Sequence, residues 1–158
     1  MGSGKSTIGR ILAKELQTYF LDTDILIESF ENKTISDIFE NEGESAFREM
    51  EKRCFNWIKS HVNSTIISVG GGLPVFIPEI KEAGSVVYLK VDFSEILNRM
   101  NKQELEKRPL FQDIEKAKEL FEKRDKIYSS LADIVIENRD VKTTIEKIKD
   151  YYAGIKQY

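Results

Sequence analysis

Along the chain, short apolar runs alternate with longer stretches in which apolar residues recur every three or four positions. Four runs have strand length: 19–21, 65–69, 86–91 and 134–136. The helical spacing between and beyond them predicts helices over roughly 5–17, 25–30, 35–41, 44–60, 78–83, 94–100, 114–131 and 141–152. Strands separated by helix-length amphipathic sequence predict an α/β protein with a parallel sheet flanked by helices, because parallel neighbours need long crossover connections. The polar stretch 101–107 has no clear period and is the best candidate for a mobile loop.

The first predicted helix is entered through Gly2-Ser3-Gly4-Lys5-Ser6-Thr7, the second half of the phosphate-loop pattern G-x-x-x-x-G-K-[ST]. Glycines let backbone N–H groups turn inward around phosphate oxygens, Lys5 adds a point charge, and the helix N-terminus adds a favourable dipole. Ser6 is placed to hold Mg²⁺. A glycine-rich tail with Lys5 and Ser6 solvated is the plain alternative, but it leaves unexplained why the hexapeptide sits directly on a helix start.

The first glycine of the full pattern falls two residues upstream of Met1, and the strand that feeds such a loop falls before that. In doubly wound sheets this strand is central. Losing about four buried aliphatic side chains at ~1.5–3 kcal/mol each would cost ~6–12 kcal/mol, against a total stability of ~5–15 kcal/mol. The expectation is that the natural protein begins upstream and that Met1 is internal to the loop or a misassigned start.

Asp22 and Asp24 follow a short apolar strand and are two apart, so their side chains project to the same side. One carboxylate near Ser6 can orient Mg²⁺ through water, and a second near an acceptor hydroxyl can take its proton. Alternatively, Asp24 caps a helix starting at Ile25. Gly70-Gly71-Gly72 comes directly after the strand 65–69, at the end where α/β folds bind ligands. It reads either as a flexible turn before Pro74 or as a place where backbone approaches a substrate closely.

Arginine is the side chain best suited to bidentate binding of carboxylate and phosphate. Arg124 lies within the stripe Ala117, Leu120, Phe121, Ile127, Tyr128, Leu131 with no acidic residue three or four away. It needs a partner, either a distant carboxylate or an anionic ligand, and we favour the ligand. Arg48 has Glu44 and Glu51 at helical spacing and could simply pair with them. Arg108 precedes Pro109 at the end of the polar stretch, as an ordinary loop residue or as a lid arginine closing over phosphates would. Cys54 and His61 share a helix with Met50, Trp57 and Ile58 at a spacing expected of a packed face, and neither is assigned a catalytic role.

Composition narrows the classes. At 158 residues, 41% of them hydrophobic, the chain fits one compact domain with a real core. A net charge of −3 disfavours nucleic-acid binding. One cysteine and one histidine give neither an internal disulfide nor a zinc set, which points to a reducing, cytosolic setting. The longest uncharged stretch, 61–78, is broken by polar residues, three glycines and two prolines and cannot be a transmembrane helix. The N-terminus lacks the pattern of a signal peptide.

Taken in order, the Gly2–Thr7 loop, Leu21-Asp22-Thr23-Asp24, Phe47-Arg48-Glu49-Met50-Glu51, Gly70-Gly71-Gly72, Arg108-Pro109-Leu110 and the segment from Arg124 to Tyr128 resemble shikimate kinases, over residues 1 to about 133. The loop alone fits many kinases; the combination is far narrower. The resemblance implies a three-layer P-loop kinase fold, a single domain over 1–158 with acceptor-binding helices at about 24–61 and a lid at about 101–113. The central first strand would lie outside the sequence.

The resemblance also implies a reaction: transfer of the γ-phosphoryl group of ATP to the 3-hydroxyl of shikimate, in aromatic amino-acid biosynthesis. Asp24, Arg48, Gly71 and Arg124 match shikimate-binding positions, with Gly70 and Gly72 beside them; the arginines take the carboxylate and Asp24 the ring hydroxyls. Phe39, Phe47 and Glu51 line or brace that pocket. Lys5 and Arg108 contact the transferred group and, with Asp24, form the catalytic set. Ser6 and Asp22 serve Mg²⁺, Arg99 lies where the family stacks on adenine, and Gly2, Ser3, Gly4 and Thr7 complete the nucleotide site. The expected protein is a cytoplasmic monomer acting on small molecules, with no nucleic-acid or membrane partner. Arg124-Asp125-Lys126-Ile127-Tyr128 departs from the family's usual Arg-x-Pro-Leu-Tyr, although arginine and tyrosine keep their spacing. The alternatives are a gluconate-kinase-like enzyme, separable by an ADP-release screen across acceptors, and a nucleotide-binding module without turnover.

Overall fold

Every predicted strand forms, each within a residue or two of its expected bounds. The computed structural model describes residues 2–99 and 113–155, and the chain divides into two compact units, Ser6–Ser85 and Met1–Lys5 with Val86–Tyr158. The expected lid at about 101–113, with Arg108, falls almost wholly outside the described residues.

In the unit Ser6–Ser85, helix α1 (Lys5–Glu15) leads to strand β1 (Phe20–Asp22), helices α2 (Thr23–Glu31), α3 (Ile35–Asn41) and α4 (Gly43–His61), and strand β2 (Ile66–Ser68). The two strands pair in parallel, Phe20 with Ile66 and Asp22 with Ser68. The intervening helices supply the crossover that parallel pairing demands. Gly9 lets α1 lie close on this pair: a Cβ there would overlap the Phe20 ring. A glycine inside a helix costs about 1 kcal/mol, and here the close approach of helix and strand offsets it. Ile27, Ile38 and Phe47 form the core of α2, α3 and α4, with Met50 and Cys54 packed against it.

Helix α4 corrects one expectation. Its buried face is Phe47, Glu51, Phe55 and Ile58, whereas Trp57 is 46% exposed and stacks its ring on His61. The stripe of Cys54, Trp57 and His61 is therefore rotated off the packed face, with Cys54 at its edge. Sequence reading also missed a short helix, α5 (Leu73–Phe76), which follows the triple glycine. The segment Pro78–Ala83 is a 3-10 helix.

In the other unit, strand β3 (Val87–Lys90) precedes helices α6 (Phe93–Arg99) and α7 (Ile114–Leu131), strand β4 (Ile134–Glu137) and helix α8 (Val141–Ile155). The strands pair in parallel, Val87 with Ile134 and Lys90 with Glu137. Val91, Ile96 and Ala117 form the core, with Phe93, Leu97 and Phe121 against it. Asp125 ties α7 to β3 by accepting from the Tyr88 hydroxyl at 2.8 Å and from the Lys90 ammonium at 2.9 Å. Where the resemblance leads one to expect proline, Lys126 retains its backbone N–H and α7 runs unbroken.

Candidate active site

Gly2 and Gly4 adopt φ of 63° and 82°, a left-handed conformation that side chains resist and that a phosphate loop requires. Lys5 follows as the first residue of α1, so the loop feeds straight into a helix N-terminus. The loop is held at its middle by Asn138, which lies just after β4 and is 4% exposed. Its side-chain amide donates to the Ser3 carbonyl at 2.6 Å and accepts from the Thr144 hydroxyl at 3.0 Å. Arg99 donates to the Asn138 carbonyl at 2.6 Å and pairs with Glu95 at 2.5 Å. Sequence reading missed Asn138, because an asparagine after a strand is ordinarily a turn residue.

At the start of α1, the Ser6 hydroxyl donates to Asp22 Oδ2 at 3.1 Å. The other oxygen of Asp22 accepts from the Asp24 backbone N–H at 3.1 Å, so Asp22 is the N-cap of α2. The capping role therefore belongs to Asp22 rather than Asp24, and the helix begins at Thr23 instead of Ile25. Asp24 consequently sits in the first turn with its carboxylate against Gly70, where a Cβ would collide with Oδ1. Thr23, fully buried, accepts from the Gly70 N–H at 3.0 Å and fixes the glycine run beside the aspartates.

Arg48 takes both of its helical neighbours, Glu51 at 2.5 Å and Glu44 at 2.7 Å. Glu51 is buried, with 2% of its side chain exposed, and the guanidinium lies 4.2 Å from the Phe76 ring centroid. It covers Gly72 so closely that a Cβ there would overlap it. Burial works against its charge, but the hydrogen bonds to Glu51 and Glu44 outweigh that and hold its pKa above the usual value. Phe47 lies beside it, with the Arg48 Cζ 5.4 Å from its ring centroid, and Phe39 packs on Phe47 with centroids 4.9 Å apart and rings tilted by 43°. The triple glycine is thus flanked by an anion at Gly70 and a cation at Gly72, and none of the three glycines needs a positive φ. At Gly70 and Gly72 the value of a glycine is space.

Arg124 is half-buried on α7 and makes no ion pair with any described residue. For a metal, Ser6 and Asp22 offer a hydroxyl and a carboxylate oxygen within hydrogen-bond distance of each other. No group of three or more His, Cys, Asp or Glu gathers among the described residues. A sparse, hard-oxygen pair fits Mg²⁺, which keeps water and substrate phosphate as most of its ligands.

A left-handed glycine cradle that opens into a helix, with a hydroxyl and a carboxylate paired just beyond it, is built for phosphoryl transfer. That places the protein among the P-loop phosphotransferases. The family model described as Shikimate kinase matches residues 1–153, and the chain belongs to that family. It is 42% identical over 136 residues to the shikimate kinase of Helicobacter hepaticus, covering 86% of this chain and 81% of that protein. It is also 42% identical over 161 residues to the shikimate kinase of a Sulfurihydrogenibium species, covering 99% and 94%. Among solved structures it superposes on a shikimate kinase from Acinetobacter baumannii in complex with shikimate, with a TM-score of 0.84, 33% identity and coverage of 100% and 91%. The enzyme from Aquifex aeolicus gives a TM-score of 0.82 at 32% identity, covering 98% and 92%. The chain therefore has the α/β P-loop kinase fold.

Proposed function

We propose that this chain phosphorylates the 3-hydroxyl of shikimate from ATP, giving shikimate 3-phosphate and ADP. The observation that carries the reading is the pairing of Asp24 with Gly70 and of Arg48 with Gly72, which supports Asp24 as proton acceptor and Arg48 as carboxylate binder along one glycine run. A small hydroxy acid needs both. The acceptor oxygen attacks the γ-phosphorus, the bond from that phosphorus to the bridging oxygen of ADP breaks, and the hydroxyl proton passes to Asp24. Arg48, held charged by Glu51 and Glu44, binds the substrate carboxylate. Lys5 and the loop N–H groups offset charge on the phosphates. Ser6 and Asp22 would hold Mg²⁺, which when bound neutralises phosphate charge.

By family likeness, Arg124 supplies a second cation to the carboxylate, Arg108 a cation to the transferred group, and Arg99 a surface for adenine. Gly2, Ser3, Gly4 and Thr7 belong to the nucleotide, and Gly71 to the acceptor. We further propose that 1–158 works as one domain, as a cytoplasmic monomer. The test is Mg²⁺-dependent ADP formation with shikimate, with gluconate and other sugar acids, and with no acceptor. Turnover confined to shikimate is the expected result; turnover on a sugar acid alone, or on none, would refute the reading.

A further inference from the structure

We propose that Asn138, oriented by Thr144, is a positioning residue for the phosphate loop: it captures the Ser3 carbonyl and thereby sets the direction of the Gly4 N–H. The inference rests on the loop being the nucleotide site.

The chemistry of the partners fixes the amide without ambiguity. A backbone carbonyl can only accept, so the group facing Ser3 O, at 2.6 Å, is the NH₂. The side-chain oxygen of Asn138 must then face Thr144, and the Thr144 hydroxyl, at 3.0 Å, is the donor. Asn138 and Thr144 are both buried, at 4% and 1% exposure, so water does not compete for these bonds. Asn138 is itself pinned through its backbone, its N–H donating to Lys90 O at 2.8 Å and its carbonyl accepting from Arg99 at 2.6 Å. β3 and α6 therefore hold the Asn138 backbone, and α8 holds its amide.

The consequence lies across one peptide bond. The Ser3–Gly4 peptide is trans, and in a trans peptide the C=O and the following N–H point in opposite directions. Holding the Ser3 carbonyl against Asn138 turns the Gly4 N–H away from Asn138. Among the described residues that N–H has no acceptor of its own. Gly4 has a φ of 82°, a region in which a glycine peptide flips at low cost, so a loop of this kind needs an outside restraint to present its N–H groups in one direction. A Cβ on Gly4 would stand 3.2 Å from the Asn138 amide nitrogen, which shows how closely the restraint is applied. The spacing is non-local, 135 residues along the chain.

The test is ADP binding by calorimetry, beside thermal unfolding and the KM for each substrate, on wild type, Thr144→Val, Thr144→Ser and Asn138→Asp. Thr144→Val keeps the shape and removes the donor that orients the amide; Asn138→Asp keeps the size and removes the NH₂. Thr144→Val is expected to weaken ADP about threefold to tenfold, the worth of one neutral hydrogen bond, and Asn138→Asp, which sets a carboxylate oxygen against the Ser3 carbonyl, by at least that; both should raise the KM for ATP alike and leave the KM for the acceptor unchanged. Thr144→Ser should bind ADP as wild type does. The amide signal of Gly4 in a ¹H–¹⁵N spectrum should move in Thr144→Val and not in Thr144→Ser. Wild-type ADP affinity in both Thr144→Val and Asn138→Asp, or equal losses for ATP and acceptor, overturns the inference and leaves the nucleotide site standing. A wild-type chain that binds no ADP overturns both.

Discussion

Arg48 lies across Gly72 with no room for a Cβ between them, and the aromatic ring of Phe76 closes the other side of the guanidinium at 4.2 Å. The cation proposed to meet the substrate carboxylate is thus positioned by what a glycine lacks. Gly72→Ala keeps a backbone conformation that alanine tolerates, since this φ is −82°. The added methyl must displace Arg48. A misplacement of about 1 Å costs up to roughly a hundredfold, so the shikimate KM should rise tenfold or more while the ATP KM stays constant. Steady-state rates with each substrate varied decide it; an unchanged shikimate KM would show that Arg48 is not the carboxylate binder.

Glu51 is the counterpart of that arrangement. Its side chain is 2% exposed and its bond to Arg48 is 2.5 Å, while the other partner, Glu44, is 59% exposed. Glu51→Ala leaves a half-buried guanidinium with only a solvated carboxylate to answer it, and breaking one side of a buried pair costs about 3–5 kcal/mol. Chemical denaturation should show a loss of that order. Glu44→Ala, by contrast, should fall within about 1 kcal/mol of wild type, as exposed ion pairs do. Similar losses for the two variants would contradict the assignment.

How much of this could be read from the sequence depends on the range of each interaction. The strands were legible because runs such as Thr65–Val69 are apolar, short and bounded by turn residues. Helices α3 and α7 matched their expected bounds because the period of three to four persists from end to end. Glu44 and Glu51 were visible as partners of Arg48 because helical spacing is local. The helix Leu73–Phe76 was hidden behind glycine and proline. The cap went to Asp22 rather than Asp24 through a local contact, the Asp24 N–H to Asp22 Oδ1, that either aspartate's position allows, whereas the bond from Ser6 to the other Asp22 oxygen spans 16 residues and has no local signal. Asn138 gave no signal at all: its role comes from meeting Ser3, and no periodicity encodes that meeting. What the resemblance implies for Arg108 concerns residues outside those described.

Asp22 performs two tasks that a single substitution separates. One oxygen caps α2 through the Asp24 N–H, and the other accepts from Ser6. Asparagine is as good an N-cap as aspartate but brings no negative charge to a cation. Asp22→Asn should therefore unfold at nearly the wild-type temperature, while the Mg²⁺ concentration for half-maximal rate rises about tenfold to a hundredfold, as it does when a group that orients a metal is lost. Asp22→Ala should lose both properties. If Asp22→Asn needs no more Mg²⁺ than wild type, the metal is held elsewhere.

Cys54 reports on the charge around Asp24 and Glu51, the proposed acceptor site. Burial pushes its thiol up from the ordinary value, and the negative charges of Asp24 and Glu51 push it further, against a smaller opposing effect of Arg53. The thiolate is the reactive form, so at pH 7.5 alkylation of the folded protein should be much slower than that of the same chain in urea. The sign for Asp24 follows directly: Asp24→Asn removes a charge that disfavours the thiolate, lowers the pKa of Cys54, and should speed alkylation of the folded protein between pH 7 and 9. The measurement is the iodoacetamide rate across that range for both proteins. A rate in Asp24→Asn at or below wild type would mean that the carboxylate of Asp24 does not act on the α4 side of the site.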